Sequence, residues 1–530
     1  MAAGRSLARW PLAALLLAAC GGGGGWASAS NVLMILTTPT PSHHIWSSPL
    51  VEALAARGHN LTVLSPTPLK PPRANVTDIV IEGSLEYTDA DTDYHALTQI
   101  STLEWIRTTM EWYANSCNYS LSTKGVRQLF DYPDDFRFDL IVIEGSGGEC
   151  LLGFVEKFGR PPVVAINGFG NPQWLNWNVG NPDHPAYVSH SQLTLRWPFS
   201  FTDKLKNVLM YLATLYHYYV EFLPANDRML HTYFAGAVAS RAAPVAETLA
   251  NVSVVLVNAH HSLDGARPFV PALVPIAGIH IKQPKPLPKD LQQFLDGAPE
   301  GAVYFSLGSL VRSDRLGAQQ RDALVGAFAA LPRGVRVLWK WESDAPPPGL
   351  PPNVRVGKWL PQSDILAHPN VRAFISHAGM LSSHESTWRG VPIVAIPLIV
   401  DQYLNAARLQ GLGVAEKLDY ATLSKESVLA ALTKVLGDPS YRERMRELSA
   451  VFRERPRPPL ETAVFWIEHV LRHRGAPRMR APTADMAWYE LMLLDVAAFV
   501  LLVVAAVVAV IVLCARGVRR KIGGGKKKTE

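Results

Sequence analysis

Residues 371–402 hold the feature that most restricts the fold of this chain. The run Val371–Ser376 is apolar and β-branched and has the length of a buried strand. A His-Ala-Gly turn at 377–379 breaks it, a helix-compatible segment follows to Arg389, and another strand-length run occupies 392–396. This order predicts a parallel α/β sheet with the turn at its carboxyl edge. The free N–H groups at the start of such a helix favour an anion such as a diphosphate.

Polar side chains follow both of these predicted strands. His377 lies in the turn, and Glu385, about two helical turns further along, can point back toward a ribose, whose hydroxyls donate to a carboxylate. Asp401 and Gln402 follow the second strand and offer an acceptor and an amide suited to sugar hydroxyls. The segment therefore predicts a site for a sugar nucleotide.

Residues 359–402 resemble the signature of the UDP-glycosyltransferases, in particular the membrane-bound branch of animal glucuronosyltransferases and their invertebrate relatives. The positions that match at fixed spacing are Trp359, Gln362, His377, Gly379, Glu385, Pro392, Pro397, Asp401 and Gln402. Two positions depart from the pattern, because Ala378 replaces a second glycine after the histidine and Leu381 replaces the vertebrate asparagine. The pair Leu381-Ser382 resembles the invertebrate members.

The resemblance implies a UDP-sugar site in the second half of the chain. Trp359 would stack on uracil with Gln362 beside it, and Glu385 would hold the ribose. The UDP-sugar is a co-substrate, so no cofactor is expected. The sequence has no D-x-D pair at the end of a predicted strand and therefore does not indicate a metal site.

The same resemblance assigns the phosphates and the transferred sugar. The turn containing His377 and Gly379, with the adjacent helix amides, would face the phosphates, and Ser309 would donate from a Gly turn opposite. Asp401 and Gln402 would hold the sugar. Transfer in this family inverts the anomeric centre and needs no metal.

The catalytic base is expected in the first half of the chain. The resemblance places it after a serine at the end of the first strand, which matches Ser42 and His43. It also places a carboxylate at the end of a later strand; this residue is aspartate in vertebrate members and Glu144 here. A glutamate is longer by one methylene and has the same charge, so it can still hold an imidazolium. Asp139 and Glu149 are the alternatives.

The expected activity is transfer of a hexose, by resemblance to invertebrate members glucose, to a hydroxyl of a small lipophilic acceptor. Glucuronate is the alternative donor sugar. A rival hypothesis is a membrane protein that binds UDP-sugar or lipophile without turnover, and the departures Glu144, Ala378 and Leu381 keep it open.

The fold class expected is α/β, with two facing Rossmann-like domains of the GT-B type and a C-terminal transmembrane helix. Residues 30–281 form the first, acceptor-binding domain. The Pro/Lys-rich stretch 282–290 is the linker, and residues 291–475 form the UDP-sugar domain with its closing helices.

The two ends of the chain carry sorting and membrane signals. Residues 1–29 have basic, apolar and small-residue regions in the order of a signal peptide. After a juxtamembrane segment, 476–495, the uncharged run 496–515 is long enough to span a bilayer, although a buried core helix is the alternative. The basic tail 516–530 predicts a cytosolic end and lumenal domains. Lys527-Lys528 resembles an endoplasmic-reticulum retrieval signal, or is only part of a basic flank.

The net charge of +6 does not indicate a nucleic-acid-binding protein. Seven Lys or Arg and one Glu lie in residues 516–530, and Arg5 and Arg9 add two more positive charges, so the remainder carries −2. The partners expected are therefore the UDP-sugar, the acceptor and the membrane, with a homo- or hetero-oligomer left open.

Four cysteines do not make a disulfide scaffold. Cys20 leaves with the signal peptide and Cys514 lies in the predicted span, while Cys117 and Cys150 share an oxidising compartment. Two separate buried thiols are the favoured prediction, and pairing is the alternative.

Four sequons begin at Asn60, Asn75, Asn118 and Asn251. Asn60 and Asn251 lead directly into apolar strands, so Asn75 and Asn118 are the predicted glycosylation sites.

The segment 171–235 is irregular and rich in aromatic residues. We favour an apolar acceptor pocket for it, because ligand sites are largely hydrophobic. Ordinary core and a surface lying against the membrane are the alternatives.

Overall fold

A computed structural model describes residues 29–89, 96, 100–195, 197–236, 243–399 and 401–524. The predicted signal peptide, except Ala29, lies outside the described residues, as does the Lys527-Lys528 pair.

In the described part of the chain, thirteen strands form two sheets. The strands of the first sheet are β1 (Asn31–Ile35), β2 (Asn60–Ser65), β3 (Val76–Val80), β4 (Leu140–Glu144), β5 (Val163–Asn167), β6 (Val254–Val257) and β7 (Leu273–Pro275). Those of the second are β8 (Ala302–Ser306), β9 (Arg336–Lys340), β10 (Val354–Gly357), β11 (Val371–Ser376), β12 (Ile393–Ala395) and β13 (Ala415–Lys417).

Helices connect the strands and cover both sheets. The helices of the first half are α1 (Pro41–Ala56), α2 (Ser84–Asp89), α3 (Thr102–Ser122), α4 (Lys124–Phe130), α5 (Gly153–Lys157), α6 (Gln173–Asn178), α7 (Phe201–Tyr216), α8 (Leu223–Phe234), α9 (Val245–Ala250) and α10 (His261–Asp264). Those of the second half are α11 (Lys289–Asp296), α12 (Ala318–Ala329), α13 (Gln362–Leu366), α14 (Met380–Arg389), α15 (Gln402–Gly411), α16 (Lys425–Gly437), α17 (Pro439–Arg453), α18 (Pro459–His473), α19 (Trp488–Leu491) and α20 (Leu494–Gly524).

Both sheets are parallel and doubly wound. The first has the order β3-β2-β1-β4-β5-β6-β7 and the second β10-β9-β8-β11-β12-β13. In each sheet, successive strands are added first on one side of the first strand and then on the other, so the strand order reverses beside β1 and beside β8. Each sheet is buried on both faces by its own apolar clusters. The prediction of two Rossmann-like domains is confirmed. Open sheets of this kind bind ligands at the carboxyl ends of the strands where the direction reverses.

Helix α1 includes His43. It starts at Pro41 and continues through Pro49. Proline suits the first helical turn, where its missing N–H costs nothing. His43 is therefore held in the first turn of a helix, which fixes its position better than a loop would.

The last helices do not all belong to the second domain, where the sequence analysis placed everything up to residue 475. Ala463, Val464, Ile467 and Val470 of α18 pack into the core of the first domain. Arg57 Nη1 also donates to Glu468 Oε2 at 2.9 Å. The predicted linker is shorter as well, because its last two residues, Lys289 and Asp290, already belong to α11.

Cys117 and Cys150 form a disulfide, so the favoured prediction of two separate thiols is wrong. Cys117 lies on α3 and Cys150 in a short 3-10 helix after β4, and the packing of α3 against that helix joins them. The spacing of the two cysteines in the sequence does not predict that these two elements pack against each other. Among the described residues, Cys514 is the free cysteine, and it is exposed.

Replacing both Cys117 and Cys150 with serine is expected to lower the free energy of unfolding by about 3 to 4 kcal/mol, because the unfolded chain regains the entropy of an open loop. The separation that the bond closes is 33 residues. Urea unfolding of the detergent-solubilised chain measures the loss. A reductant should destabilise the original chain to the same extent and leave the double variant unchanged. Equal unfolding midpoints for the two proteins would contradict the expectation.

The aromatic segment 171–235 does not line the large cavity described below, so our favoured interpretation of it is wrong. Its inner side chains are core, as Trp174 and Tyr218 stack on each other inside the first domain. The outer side of α7 and the π-helical turn His217–Phe222 expose further apolar side chains.

Helix α20 covers the predicted span 496–515 and extends beyond it at both ends. It is the one helix in the described part of the chain that is long and apolar enough to cross a membrane, and none of it is buried against the protein. The prediction of a C-terminal apolar helix is confirmed.

The two favoured glycosylation sites differ in their surroundings. Asn75 Nδ2 donates to the carbonyls of Ala55 and His59, both at 2.8 Å, and a glycan on that nitrogen would displace these bonds. Asn118 is exposed on α3. The geometry therefore favours Asn118 over Asn75.

Candidate active site

One cavity of about 1060 Å³ lies between the two domains. Nine of the ten site residues proposed from the sequence line it, namely His43, Ser309, Trp359, Gln362, His377, Gly379, Glu385, Asp401 and Gln402. The tenth, Glu144, lies behind His43. Because β1, β4, β8 and β11 all direct their carboxyl ends toward this cavity, it occupies the position that the topology assigns to a ligand.

His43 and Glu144 form a buried pair at the carboxyl ends of β1 and β4. His43 Nδ1 contacts Glu144 Oε1, and the two residues are 5 % and 3 % exposed. The backbone N–H of Thr38 donates to Glu144 Oε2 at 2.9 Å and holds the carboxylate in place. This arrangement leaves Nε2, on the far side of the imidazole, for a group in the cavity that His43 lines.

The alternatives to Glu144 are placed elsewhere. Asp139 accepts a 2.8 Å hydrogen bond from the backbone N–H of Asn31 at the start of β1, at the opposite edge of the sheet. Glu149 accepts from the N–H of Gly147 at 2.9 Å, and burial raises the pKa of Glu149 to about 7. Glu144 is thus the carboxylate that contacts His43.

A phenylalanine and a glycine complete the seat of His43. The rings of His43 and Phe169 lie 4.2 Å apart between centroids. A Cβ on Gly168 would lie 3.2 Å from His43 Cε1, so the absence of a side chain there lets the imidazole pack on the backbone after β5. These contacts restrict the ring to the orientation that presents Nε2 to the cavity.

His377 is held between two glycines in the second domain. A Cβ on Gly379 would lie 2.3 Å from His377 Nε2, and a Cβ on Gly308 would lie 2.5 Å from its Cε1. Burial, together with the positive charge of Lys340, lowers the pKa of His377 to about 4, so the ring is neutral at physiological pH. No group in the described part of the chain bonds its Nδ1. A neutral imidazole fixed in this way offers a directed N–H to a ligand.

Lys340, at the end of β9, is a cavity residue that our sequence analysis missed. Its Nζ donates to Gly308 O at 2.8 Å and to Glu342 Oε1 at 2.6 Å, and it lies 5.9 Å from the centre of the Trp359 ring. Its ammonium group therefore places a positive charge between the indole and the turn that contains Ser309, which also lines the cavity. The signal was the Lys-Trp step that ends an apolar strand.

Gln362, Ser382 and Glu385 form a polar group below Trp359. Gln362 Nε2 donates to Glu385 Oε2 at 2.5 Å and to Ser382 Oγ at 3.0 Å. Burial raises the pKa of Glu385 to about 7, although the bond from Gln362 and the charge of Arg389 oppose the shift. Trp359 is 69 % exposed, so one face of its indole is free to stack on a planar ligand.

Asp401 and Gln402 lie at the start of α15. Gln402 Oε1 accepts from the N–H groups of Leu398 and Ile399 at 2.8 and 3.0 Å, so its Nε2 is the group available to a ligand. Asn405, a second residue missed from the sequence, donates to Asp401 Oδ2 at 2.7 Å and to Ala378 O at 3.1 Å. Asn405 thereby joins the Asp401 carboxylate to the turn that contains His377.

Asp401 also senses His43 across the cleft. Burial raises the pKa of Asp401 to about 6, while the bond from Asn405 and the charge on His43 oppose the shift. The imidazole of one domain therefore lies close enough to influence the carboxylate of the other across the cavity that both line.

The remaining wall of the cavity comes from α3, which the sequence analysis did not identify. Trp105, Trp112 and Tyr113 line the cavity from this helix, and Thr109 lies among them. Thr109 Oγ1 is buried with no hydrogen-bond partner within the described residues. Positions 105, 109, 112 and 113 follow the i, i+4, i+7, i+8 spacing of one helical face, which was the available signal. The wall suits a flat apolar molecule with a polar substituent.

The chain matches the family model described as "UDP-glucoronosyl and UDP-glucosyl transferase" over residues 32–529. It is 37 % identical to UDP-glucosyltransferase 2 of Dactylopius coccus, covering 85 % of this chain and 86 % of that protein. It is 30 % identical to UDP-glucuronosyltransferase 2B1 of Rattus norvegicus, covering 94 % and 95 %. The calicheamicin glycosyltransferase CalG4 has a similar fold, with a TM-score of 0.57 and 19 % identity over 84 % of this chain and 99 % of that one.

These matches agree with the geometry of the cleft. The family model spans both domains and the C-terminal helix, and the neighbouring solved structure shows the same two-domain GT-B fold. The nucleotide-side residues predicted from the resemblance meet the His43–Glu144 pair in one cavity. The chain is therefore a glycosyltransferase that belongs to the UDP-glycosyltransferase family.

Proposed function

We propose that this enzyme transfers glucose from UDP-glucose to a hydroxyl of a small lipophilic acceptor, with inversion at the anomeric carbon and without a metal ion. One observation carries the proposal. The imidazole of the buried His43–Glu144 pair and the His377 turn line the same cavity from opposite domains. A base on one wall and a phosphate-binding turn on the other are what a single displacement on a sugar requires.

In the reaction, the acceptor hydroxyl gives its proton to His43 Nε2 as its oxygen bonds to the anomeric carbon. The bond from that carbon to the UDP oxygen breaks, and UDP leaves with the electron pair. Glu144 stabilises the imidazolium that forms, since its carboxylate contacts Nδ1. The nucleophile approaches from the first domain and the leaving group departs toward the second, so the configuration inverts.

The charge on the departing diphosphate is compensated by the second domain. The neutral His377 and Ser309 donate hydrogen bonds, Lys340 supplies a positive charge, and the N-terminus of α14 supplies free N–H groups. The protein groups present are of the kind that replaces a metal at a leaving phosphate.

The sugar side of the cavity suits a hexose, because the Asp401 carboxylate accepts hydroxyl donors. The similarity to a relative named as a UDP-glucosyltransferase supports glucose as that hexose. A glucuronosyl donor is the alternative, since another relative is named for that sugar.

The acceptor and the location follow from the first domain and the C-terminal end. The aromatic face of α3 favours a planar lipophilic acceptor such as a phenol. Helix α20, whose C-terminal end carries Arg519, Arg520 and Lys521, favours a single crossing of the endoplasmic-reticulum membrane with both domains in the lumen.

Microsomes containing the full chain test the proposal. We expect transfer to members of a phenol panel with UDP-glucose, and less transfer with UDP-glucuronate when the two donors compete. A preference for UDP-glucuronate would replace the donor assignment. Binding of UDP in a calorimeter without transfer from any donor would instead establish a non-catalytic binding protein.

Binding of UDP-glucose is expected to weaken about tenfold from pH 8 to pH 6, because a ribose hydroxyl needs the ionised form of Glu385. The folded pKa of this group is raised to about 7, so full affinity is present above that value and is lost as the pH falls through it. Stability has the opposite sign: the ionised, buried carboxylate destabilises the fold as the pH rises through about 7.

Calorimetric titration without acceptor, from pH 6 to pH 8, measures this dependence. Glu385→Gln should bind with nearly the same affinity across the range. A wild-type affinity that is flat with pH, or a variant that keeps the step, would show that Glu385 does not hold the ribose.

A further inference from the structure

Helix α7 carries apolar side chains on two opposite faces. Its inner face packs Met210 and Tyr211 into the first domain, and Ser200 caps it with Asp203 in a capping box. Its outer face is a continuous apolar stripe open to solvent, formed by Phe201, Leu205, Val208, Leu209, Leu212 and Tyr216. Phe201 is 81 % exposed and Leu209 55 %, which is unusual for a soluble surface.

The stripe continues beyond both ends of the helix. Trp197 precedes it and is 70 % exposed, while Tyr219 and Val220 of the π-helical turn extend it. Lys204 and Lys206 are exposed on the same helix and carry charge beside the stripe. An apolar stripe with an exposed tryptophan and flanking lysines is the pattern of a helix that lies in a lipid interface.

The loop after α6 links this helix to the segment that leads into α20. Tyr211 Oη donates to Asp183 Oδ1 at 2.8 Å. Three residues earlier, Gly180 O accepts from Thr483 Oγ1, and a Cβ on Gly180 would lie 2.3 Å from the backbone nitrogen of Ala484. Helix α20 begins ten residues after Ala484, so its start lies within about 35 Å of the loop even if the chain is fully extended.

We propose that the outer face of α7, with Trp197 and the π-helical turn, lies on the lipid surface of the membrane that α20 crosses. The inference rests on the membrane anchorage proposed above. Helix α7 contacts the loop 180–183 through Tyr211, and the segment that leads into α20 contacts the same loop through Thr483 and Ala484, so the anchor keeps the stripe near the bilayer. Lys204 and Lys206 then meet anionic headgroups, while the stripe enters the boundary with the acyl chains.

This contact places the bilayer behind the side of the cavity that α3 forms with Trp105, Trp112 and Tyr113, where we propose that the acceptor binds. Helix α7 and the π-helical turn pack on α3, the helix whose other side lines the cavity. Aromatic rings connect the two surfaces, since Tyr113 meets Trp174 and Trp174 stacks on Tyr218. A lipophilic acceptor dissolved in the membrane is thereby concentrated next to the domain that binds it.

Spin labels on single cysteines test the contact. In the full chain with Cys514→Ala, Leu209→Cys and Leu212→Cys place a label on the stripe, and Glu443→Cys on the exposed side of α17 is the matched water control. Val504→Cys places a label inside α20. The protein is incorporated into vesicles of phosphatidylcholine and phosphatidylserine, and collision with oxygen is compared with collision with a water-soluble nickel chelate.

We expect the labels at positions 209 and 212 to be exposed to oxygen and protected from nickel, as at 504, while the label at 443 collides with nickel. Nickel accessibility at 209 and 212 equal to that at 443 overturns the inference and leaves the anchorage intact. Nickel accessibility at 504 overturns the anchorage, and protection at 209 and 212 then still supports a peripheral contact. The labelled chains should retain transfer activity, since these side chains are exposed.

A second copy of the chain is the other occupant that the test resolves. Dipolar broadening between labels at position 209 that disappears on dilution with unlabelled chain would show that α7 faces α7 in an oligomer. That result would overturn the lipid contact. Spectra without broadening, together with protection from nickel, support it.

Discussion

Replacing His43 with alanine is expected to reduce kcat for sugar transfer about 10³-fold, because general-base catalysis by a positioned imidazole contributes roughly 10²- to 10⁴-fold. The variant removes the group that we propose takes the acceptor proton, and it leaves untouched the side chains of the other domain that we propose bind UDP. Affinity for UDP, measured by calorimetry, should therefore stay unchanged. Steady-state kinetics with saturating UDP-glucose and a phenol measure the loss.

His44 supplies the matched control, because it is the next residue of the same helix and does not bond Glu144. Burial lowers the pKa of His44, and the nearby charges of Asp78 and Lys70 have smaller, opposite effects on it. His44→Ala should keep kcat near the original value. Glu144→Gln, which keeps the shape but not the charge, should lose about 10²-fold, since the imidazolium is no longer stabilised. Full activity in His43→Ala would sink the proposed mechanism.

Gly379→Ala is expected to weaken UDP binding roughly 10- to 100-fold, which corresponds to about 1.4 to 2.7 kcal/mol. The new methyl would lie 2.3 Å from His377 Nε2 and 2.9 Å from its Cε1. The backbone of Gly308 lies close to the same edge of the ring, since a Cβ there would lie 2.5 Å from Cε1 and 2.7 Å from Nε2. The ring must therefore leave the position from which it faces the phosphates, and calorimetry with UDP measures the loss.

Gly437→Ala is the control for this substitution. Gly437 ends α16, and a Cβ there would meet no atom within 4 Å. It should bind UDP like the original chain and unfold at an equal or slightly higher urea concentration, because alanine favours a helix more than glycine does. If Gly379→Ala binds UDP equally well, then His377 does not contact the diphosphate in the way we propose.

The meeting of the proposed donor-side residues in one cavity was predictable because most of them lie in one strand-turn-helix unit. His377, Gly379 and Glu385 are close in sequence, and the helical geometry of α14 alone brings them to one edge of the sheet. Asp401 and Gln402 follow the adjacent strand, β12, whose parallel pairing with β11 is the simplest one for consecutive strands. Local pattern and topology agree at these positions.

The residues missed from the sequence depend on contacts between distant segments. Lys340 reaches the cavity only because β9 pairs with β8, and Asn405 matters only because α15 packs on the His377 turn. The apolar face of α3 indicated burial but not which surface it would meet. The same limit explains the Cys117–Cys150 bond, whose partners lie on separate elements.

The amphipathic pattern of α18 shows the limit most clearly. Its apolar stripe predicts a buried helix, and sequence order suggested that it closed the domain just completed. Ile467 and Val470 instead pack into the core of the first domain. Nothing in the periodicity of a stripe identifies the sheet that will cover it.

Because α18 returns to the first domain, the proposed membrane anchor α20 follows in the chain from that domain. The polypeptide passes between the halves at 282–288 and again near Arg455, whose Nη1 donates to Ala277 O at 2.7 Å, so the two crossings run side by side. The membrane anchor that we propose is therefore tied through α18 to the first domain, which carries His43. The covalent links of the second domain to that anchored half are these two neighbouring crossings.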